Sequence, residues 1–410
     1  MPSTTEVIIP CGDFSLETAM ALALLSFVLR EHTIVPLDET STQFSQMLHT
    51  YKHTQNTILI GLGGDYVPQQ GVFHWTPEIK SNHPQNSNSN SNGRKKKGNG
   101  HRLKNQNSAP QNFYFNNTKR GKVVPLATVG LVYRFYGKEV LKKITNFSDS
   151  SKINWLYERA YYDFIEIIDA QTRNLRLSNK HESTRPAVPR FNADQHTLPN
   201  MVKFYNLQLH DYELLNYDET EIYALRMKRL ETVIDILKSA FENYVKYFAF
   251  SFMRGESILQ QAYNASLSGE TYGTYHDEIV VEDPSLITKK LVQDALKRIM
   301  IIPEFIPWKE HLFAYERSLD RMGNSLYAIY PDSTQNWRLA AVPTLPASFE
   351  SRKRLPQEWC GLADGELRDV AGVDDATFVH AQGFIAGASS LLGCIKLAVK
   401  AVLNNQKENI

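Results

Sequence analysis

Near its start the chain reads VIIPCGDFSLETAMALALLSFV, from Val7 to Val28. Cys11, Asp13, Ser15 and Glu17 crowd around Gly12 in what reads as a strand-to-helix turn. Turns of this kind, at the carboxyl end of a strand, are where α/β proteins bind ligands. Carboxylates at such a turn suit a divalent ion with a preference for oxygen. The turn holds no histidine, so it reads either as an active-site turn with unusual ligands or as one whose chemistry has gone. Two other stretches could also do chemistry. FVHAQGFIAGASS, with His380, Gly383, Phe384 and Gly387, reads as a glycine turn opening onto a helix, and the free N–H groups of such a turn can hold an anion. GRKKKGNGHRLK carries Arg94, Lys95, Lys96, Lys97 and Arg102, a concentrated positive charge that reads as an RNA-contacting arm, a nuclear-localisation patch or a solvated linker.

The elements that must position these groups follow from periodicity. Residues 7–76 alternate as strand and helix. EVIIP, HTIVPLD and NTILIGLGG read as strands, over 6–10, 32–37 and 57–62. SLETAMALALLSFVLREH and TSTQFSQMLHTY read as helices, with Ser15 as an N-cap. Alternation of this kind predicts a parallel sheet with its site at the carboxyl ends of the strands. GLGG at 61–64 lacks the Lys-Ser/Thr of a phosphate loop and reads as a turn.

Between Glu78 and Glu139 the chain has no acidic residue, and much of that interval is Asn, Ser, Gly and Lys/Arg. Such a composition cannot bury a core, so residues 79–120 are expected to be a disordered basic insertion. Helices are expected at PLATVGLVYRFYG, INWLYERAYYDFIEIIDAQ, Thr220 to about Met253, ESILQQAYNAS and SLITKKLVQDALKRIM. HLFAYERS, SLYAIYPD and WRLAAVPT read as strands, and TFVHAQGFIAGASSLLGCIKLAVKAVLNN as a strand, a glycine turn and a closing helix. The fold class is therefore α/β, with a parallel-sheet N-terminal domain over 1–78 and 121–215. A helical connecting region follows over 216–298, and a mixed α+β C-terminal domain over 299–410.

The chain has 410 residues, enough for two cores, with 42% apolar residues, 22% charged residues and a formal charge of +1, so overall charge selects no partner. Its three cysteines have no CxxC spacing, which argues against a disulfide framework or a zinc site. No apolar run approaches a membrane span, and the first 30 residues lack the basic start of a signal peptide. The expected location is the cytoplasm, the nucleus or both, with no membrane association.

IPWKEHLF, YAIYPD, WRLAAVP, LPQEWCGL and FVHAQGFIAG, between Ile306 and Gly387, resemble the Myg (melanocyte proliferating gene) family of the DHH phosphoesterase superfamily. Weaker matches reach back through GLVYRFYG and DFIEIIDA to the N-terminal turn. The resemblance implies two domains around a cleft and metal-dependent 3′-to-5′ exonuclease chemistry on RNA, with Mn²⁺ or Mg²⁺ held by carboxylates and imidazoles. It also implies that His380, Gly383, Phe384 and Gly387 face the substrate.

At the family's ligand positions this chain has Ser15 and Glu17 in the first motif, Gly61 in the second, and His74, Trp75 and Thr76 in the third. Asp169, Ala170 and Thr172 stand in the fourth. Most metal-holding groups are absent. Tryptophan and threonine cannot replace two imidazoles. The expectation is a catalytically inactive relative without a cofactor that binds RNA or a protein partner. One alternative is an active exonuclease using a residual ion on Glu17, His74 and Asp169, and another is a structural scaffold.

Overall fold

A computed structural model describes residues 4–62, 66–74, 114–115, 124–173, 175, 197–269, 289–334 and 336–404. The chain divides into two compact units, 1–246 and 247–410, within a continuous helical run.

The first unit carries a five-stranded sheet in the order β2-β1-β3-β5-β4. β1 (Thr5–Pro10), β2 (His32–Leu37), β3 (Thr57–Ile60) and β5 (Val72–Phe73) run parallel, and β4 (Tyr66–Val67) closes the edge antiparallel to β5. The three long strands fall where the sequence places them. Val7 to Ile9 and Ile58 to Ile60 are buried, as expected for strands covered on both faces. Helix α1 (Leu16–Val28) begins at Ser15, whose Oγ accepts the Thr18 N–H at 3.1 Å. Its alanines at 19, 21 and 23 are wholly buried, and it packs closely on α3 (Thr128–Thr145) and α8 (Glu219–Lys246). α2 (Phe44–His53) lies on the opposite side, where Phe44, Leu48 and Tyr51 pack against Ile8, Leu37 and Leu59.

After α3 come α4 (Ser150–Ala160), a π-helical turn at Tyr161–Ile165, and α5 (Glu166–Thr172), the single long helix of the sequence reading widened in its middle. α6 (Leu198–Tyr205) and α7 (Leu209–Leu214) precede α8. The expected disordered insertion needs one correction. Tyr114 bridges to Pro125, and Phe115 is buried, its ring stacked on Tyr161 with centroids 3.7 Å apart. One buried aromatic ring stacked on another is enough to fix Tyr114 and Phe115. The rest of 79–120 lies outside the described residues.

The second unit starts with a π-helical turn, Tyr247–Phe252, and α9 (Met253–Ser268). Its sheet runs β6-β7-β8-β10-β9. β6 (Ile299–Ile301) is parallel to β7 (Tyr327–Pro331), while β8 (Trp337–Ala341), β10 (Ile385–Ala388) and β9 (Ala376–Val379) pair antiparallel. One core joins this sheet to α10 (Lys289–Leu296), α12 (Asp364–Ala371) and α13 (Leu391–Leu403), and a second joins it to α9 and α11 (Trp308–Ser318).

Three sequence expectations are corrected here. HLFAYERS is helical, in α11. Pro307 precedes the helix, and Trp308, Leu312 and Glu316 fall on one buried side at four-residue spacing, a period hidden by the short alternation of Leu, Phe and Tyr. KRIM ends the preceding helix early, because Ile299–Ile301 forms β6. The glycine stretch is a hairpin: Gly383, at φ +65°, turns β9 into β10, and Gly387 sits within β10.

α11 also carries the second unit's buried ion pair. Glu316, fully buried, meets Arg352 at 2.8 Å and accepts the N–H groups of Gly323 at 3.0 Å and Ser325 at 2.9 Å. Among the described residues no helix is long and apolar enough to cross a membrane.

Candidate functional site

The first unit holds a pocket of about 290 Å³ at the carboxyl ends of its parallel strands. Pro10 ends β1, Gly61 follows β3 and His74 follows β5, and all three line it. The β1–α1 turn adds Asp13, Phe14, Ser15, Glu17 and Thr18, the start of α3 adds Thr128, and the end of α5 adds Thr172 and Arg173. The turn is pinned from far along the chain. Asn206, buried just beyond α6, accepts the Phe14 N–H through Oδ1 at 2.9 Å and donates Nδ2 to the Phe14 carbonyl at 2.9 Å.

Glu17 in this wall and Asp169 behind it are both bonded to the amino terminus of α3. Asp169 is wholly buried, and its Oδ1 accepts the N–H groups of Ala127 at 2.9 Å and Gly130 at 3.1 Å. Its Oδ2 accepts the Tyr161 hydroxyl at 3.0 Å. Glu17 Oε1 accepts the Thr128 N–H. A helix amino terminus has unpaired N–H groups and positive dipole charge, so two acidic side chains are well placed there. Gly130 makes the fit possible, since a Cβ at that position would lie 2.2 Å from Asp169 Oδ2.

Burial raises the Asp169 carboxyl well above the usual carboxylate range, against the hydrogen bonds from Ala127, Tyr161 and Gly130, and the nearby Glu17 charge pushes the same way. Burial lowers Arg173, while Glu17 and Asp169 favour its charged form. Arg173 Nη2 donates to the Leu126 carbonyl at 2.6 Å.

Of the residues suggested for a residual metal, Glu17 and His74 line the pocket and Asp169 lies behind it with its oxygens engaged. Among the described residues no three His, Cys, Asp or Glu side chains are placed to hold a metal ion. This donor set does not fit a two-ion centre. Trp75, Thr76 and the basic residues Arg94, Lys95, Lys96, Lys97 and Arg102 lie outside the described residues.

In the second unit the hairpin tip presents two exposed rings, His380 and Phe384, with centroids 4.4 Å apart. His380 Nδ1 accepts the Gln382 N–H at 3.1 Å, and Gly383 N–H closes the turn on the His380 carbonyl at 2.8 Å. Gly387 lies under Arg338, Phe378 and Thr377, the nearest of which would stand 2.6 Å from a Cβ. Arg338 stacks over Phe378 at 5.0 Å and pairs with Asp332 at 2.5 Å. The following helix does not offer its amino terminus to an anion. Ser390 Oγ accepts the Gly393 N–H at 3.0 Å, and Asp375 Oδ2 accepts the Ser390 N–H at 2.9 Å, so a carboxylate of the chain already occupies that end.

Sequence reading missed Arg173, Asn206, Arg338 and Asp375. Arg173 directly follows Thr172, and a cation at the end of a degraded acidic motif was the available signal. The other three are single polar residues whose partners lie elsewhere in the chain.

The sequence profile of an uncharacterised protein family, UPF0160, the MYG1 exonuclease profile, matches residues 111–293 and 274–402, well over half of the chain. This chain belongs to the MYG1 family. The MYG1 protein of Schizosaccharomyces pombe is 28% identical to it over 288 residues, covering 68% of this chain and 73% of its own. The MYG1 exonuclease of Homo sapiens is 27% identical over 274 residues, covering 67% and 62%. The MYG1 exonuclease of Bos taurus is 24% identical over 391 residues, covering 94% and 82%. No solved structure matches the chain. The MYG1 profile begins at residue 111, so it takes in Thr128, Asp169, Thr172 and Arg173 but not the β1–α1 turn.

Proposed function

We propose that this MYG1-family chain is a non-catalytic relative of metal-dependent 3′-to-5′ exonucleases, descended from a DHH phosphoesterase, and that it binds RNA. One observation carries the first half of the reading. Two of the acidic groups at the pocket, Glu17 and Asp169, accept main-chain N–H groups at the amino terminus of α3, which leaves Asp13 as the third. Phosphodiester attack by two ions needs bridging carboxylates with free lone pairs. Asp169 already accepts from three donors, which leaves about one of a carboxylate's four lone-pair sites.

RNA binding is supported by the acid-free basic stretch before Glu139 and by the exposed His380–Phe384 pair, since unpaired bases stack on such rings. His380, Gly383, Phe384 and Gly387 are the substrate-facing residues of this reading. Arg94 to Lys97 and Arg102 add salt-sensitive affinity without sequence preference. Cytoplasmic or nuclear placement belongs to the same proposal.

The test is a nuclease assay with Mn²⁺ on the purified chain beside the human MYG1 exonuclease, with RNA binding followed by fluorescence anisotropy in EDTA. Binding without cleavage is expected. Cleavage by this chain at a rate near that of the human protein overturns the reading. If neither cleavage nor RNA binding occurs, the chain is a protein-binding scaffold.

A further inference from the structure

α2 carries His49 and His53 four residues apart, so both imidazoles stand on one side of the helix. Their ring centroids are 4.6 Å apart, with the planes tilted by 57°. Both residues are exposed, and among the described residues neither ring takes part in a hydrogen bond or an ion pair. Their nitrogen lone pairs are uncommitted, unlike most of those on Asp169.

Two imidazoles at this spacing are the pair that helical zinc motifs present to an ion. The stretch from Ser41 to Gln55 contains no Asp or Glu, so imidazole nitrogen is the metal-binding donor it offers. Imidazole suits Zn²⁺, Ni²⁺ and Cu²⁺, whereas Mn²⁺ and Mg²⁺ prefer oxygen. The position favours a cation as well. His53 is the last residue of α2, where unpaired carbonyls give a helix its negative end. Lys52, the other cation of α2, is half-buried and lies one position round the helix. α2 also has stability to gain from a cross-link. Its N-cap Gln43 makes no side-chain hydrogen bond, and none of its ten residues is fully buried.

We propose that His49 and His53 form a surface site for a late first-row divalent ion, Zn²⁺, Ni²⁺ or Cu²⁺, which clips the last turn of α2. Water completes the shell. Two protein ligands are fewer than structural or catalytic zinc centres use, so the ion exchanges with solvent. Neither histidine lines the pocket, and both precede residue 111, where the MYG1 profile begins. The site is separate from the exonuclease-like cleft and from the oxygen-preferring ions of that chemistry.

The experiment is calorimetric titration of ZnCl₂, NiCl₂ and MnCl₂ into the full chain, purified without a histidine tag, and into His49→Ala, His53→Ala and the double variant. The wild type should bind a single equivalent of Zn²⁺ or Ni²⁺ that the double variant does not, and Mn²⁺ should show no such difference. Joining two donors in one rigid frame raises affinity about 100-fold over one, so each single variant should lose about that factor. Both positions are exposed and alanine suits a helix, so the metal-free variants should melt with the wild type. Hydrogen exchange supplies a second reading: saturating Zn²⁺ should slow the amides of 48–54 in the wild type and in neither single variant.

A single variant that keeps wild-type affinity overturns the proposal, because one ring would then suffice. A double variant that still binds the same equivalent overturns it too, since other donors would hold the ion. The absence of saturable Zn²⁺ or Ni²⁺ binding to the wild type has the same result. None of these readouts involves RNA or cleavage, so this site and the non-catalytic reading stand or fall separately.

Discussion

The amino termini of α3 and α13 solve one problem in two ways. Each helix has a glycine at its third position and an aspartate packed against it, 2.2 Å from a Cβ on Gly130 and 2.0 Å from one on Gly393. At α13 the solution is local. Ser390 caps its own helix, and Asp375 reinforces it from 15 residues upstream at a half-exposed site. At α3 the N-cap is Ala127, which offers no side-chain acceptor. Its N–H groups are satisfied by Asp169, 42 residues ahead, and by Glu17, 111 residues behind. A local cap stabilises one helix. A cap assembled from distant segments ties the β1–α1 turn, α3 and α5 into the wall of the pocket, and it engages Asp169 and one oxygen of Glu17.

The largest effect should come from filling the two glycines. Asp169 is fully buried and held by three donors, so it cannot retreat from a methyl group at position 130. Gly130→Ala should cost about 3 kcal/mol or more, beyond the roughly 1 kcal/mol of helix propensity it gains. Asp375 can swing toward solvent, so Gly393→Ala should stay within about 1 kcal/mol of the wild type. Urea unfolding of both variants measures the contrast, and equal costs would break the comparison.

Next in size is the clamp on the turn that carries Glu17. Asn206→Ala leaves the buried N–H and carbonyl of Phe14 without their partner. A loss of about 2–3 kcal/mol is expected from two unmet hydrogen-bonding groups. Amide hydrogen exchange should report it first at Phe14 and then at Thr128, whose partner Glu17 shares the turn. Protection unchanged at Thr128 would separate the turn from the α3 cap.

Asp169 gives the comparison a pH dependence. Its folded pKa is raised, so its contribution to stability is complete below the unfolded value near 3.8 and is lost as pH rises through the folded value. An asparagine can accept the Ala127 and Gly130 N–H groups and does not ionise. Asp169→Asn should therefore gain on the wild type as pH rises from about 4, with a crossing of about 1–2 kcal/mol in unfolding free energy. Parallel curves across that range would mean that the hydrogen bonds, which pull the other way, outweigh burial.

The sequence displayed whatever was periodic or local. β1, β2, β3 and α1 follow from alternating apolar runs, and the Ser15 cap from its own tetrapeptide. The pocket's place followed too, because parallel strands put their sites at their carboxyl ends. What stayed hidden acts at long range. Asn206 and Phe14 are 192 residues apart, and nothing in either neighbourhood announces the pair. Phe115 looked like part of a polar insertion because its ring is claimed by Tyr161, outside any local window. The hairpin at Gly383 was masked because its second strand, Ile385–Ala388, is four residues of small and apolar type, so the stretch read as one strand, a glycine turn and a helix. Asp169 was visible as an acidic residue in a motif, while its fate as a cap for α3 was not.

The smallest effect should come from exchanging the caps themselves. Ser390→Ala removes the acceptor for the Gly393 N–H and should cost about 1 kcal/mol, the usual price of an N-cap. Asp375 still covers the Ser390 N–H, which keeps the loss near the low end. The reciprocal change, Ala127→Ser, should bring no gain. The Gly130 N–H that a new hydroxyl would seek is already given to Asp169 at 3.1 Å, and the Ala127 side is fully buried. Chemical denaturation of the two variants tests the pair together. A stabilised Ala127→Ser protein would show that Asp169 leaves the α3 terminus partly unmet and has a free oxygen for a ligand.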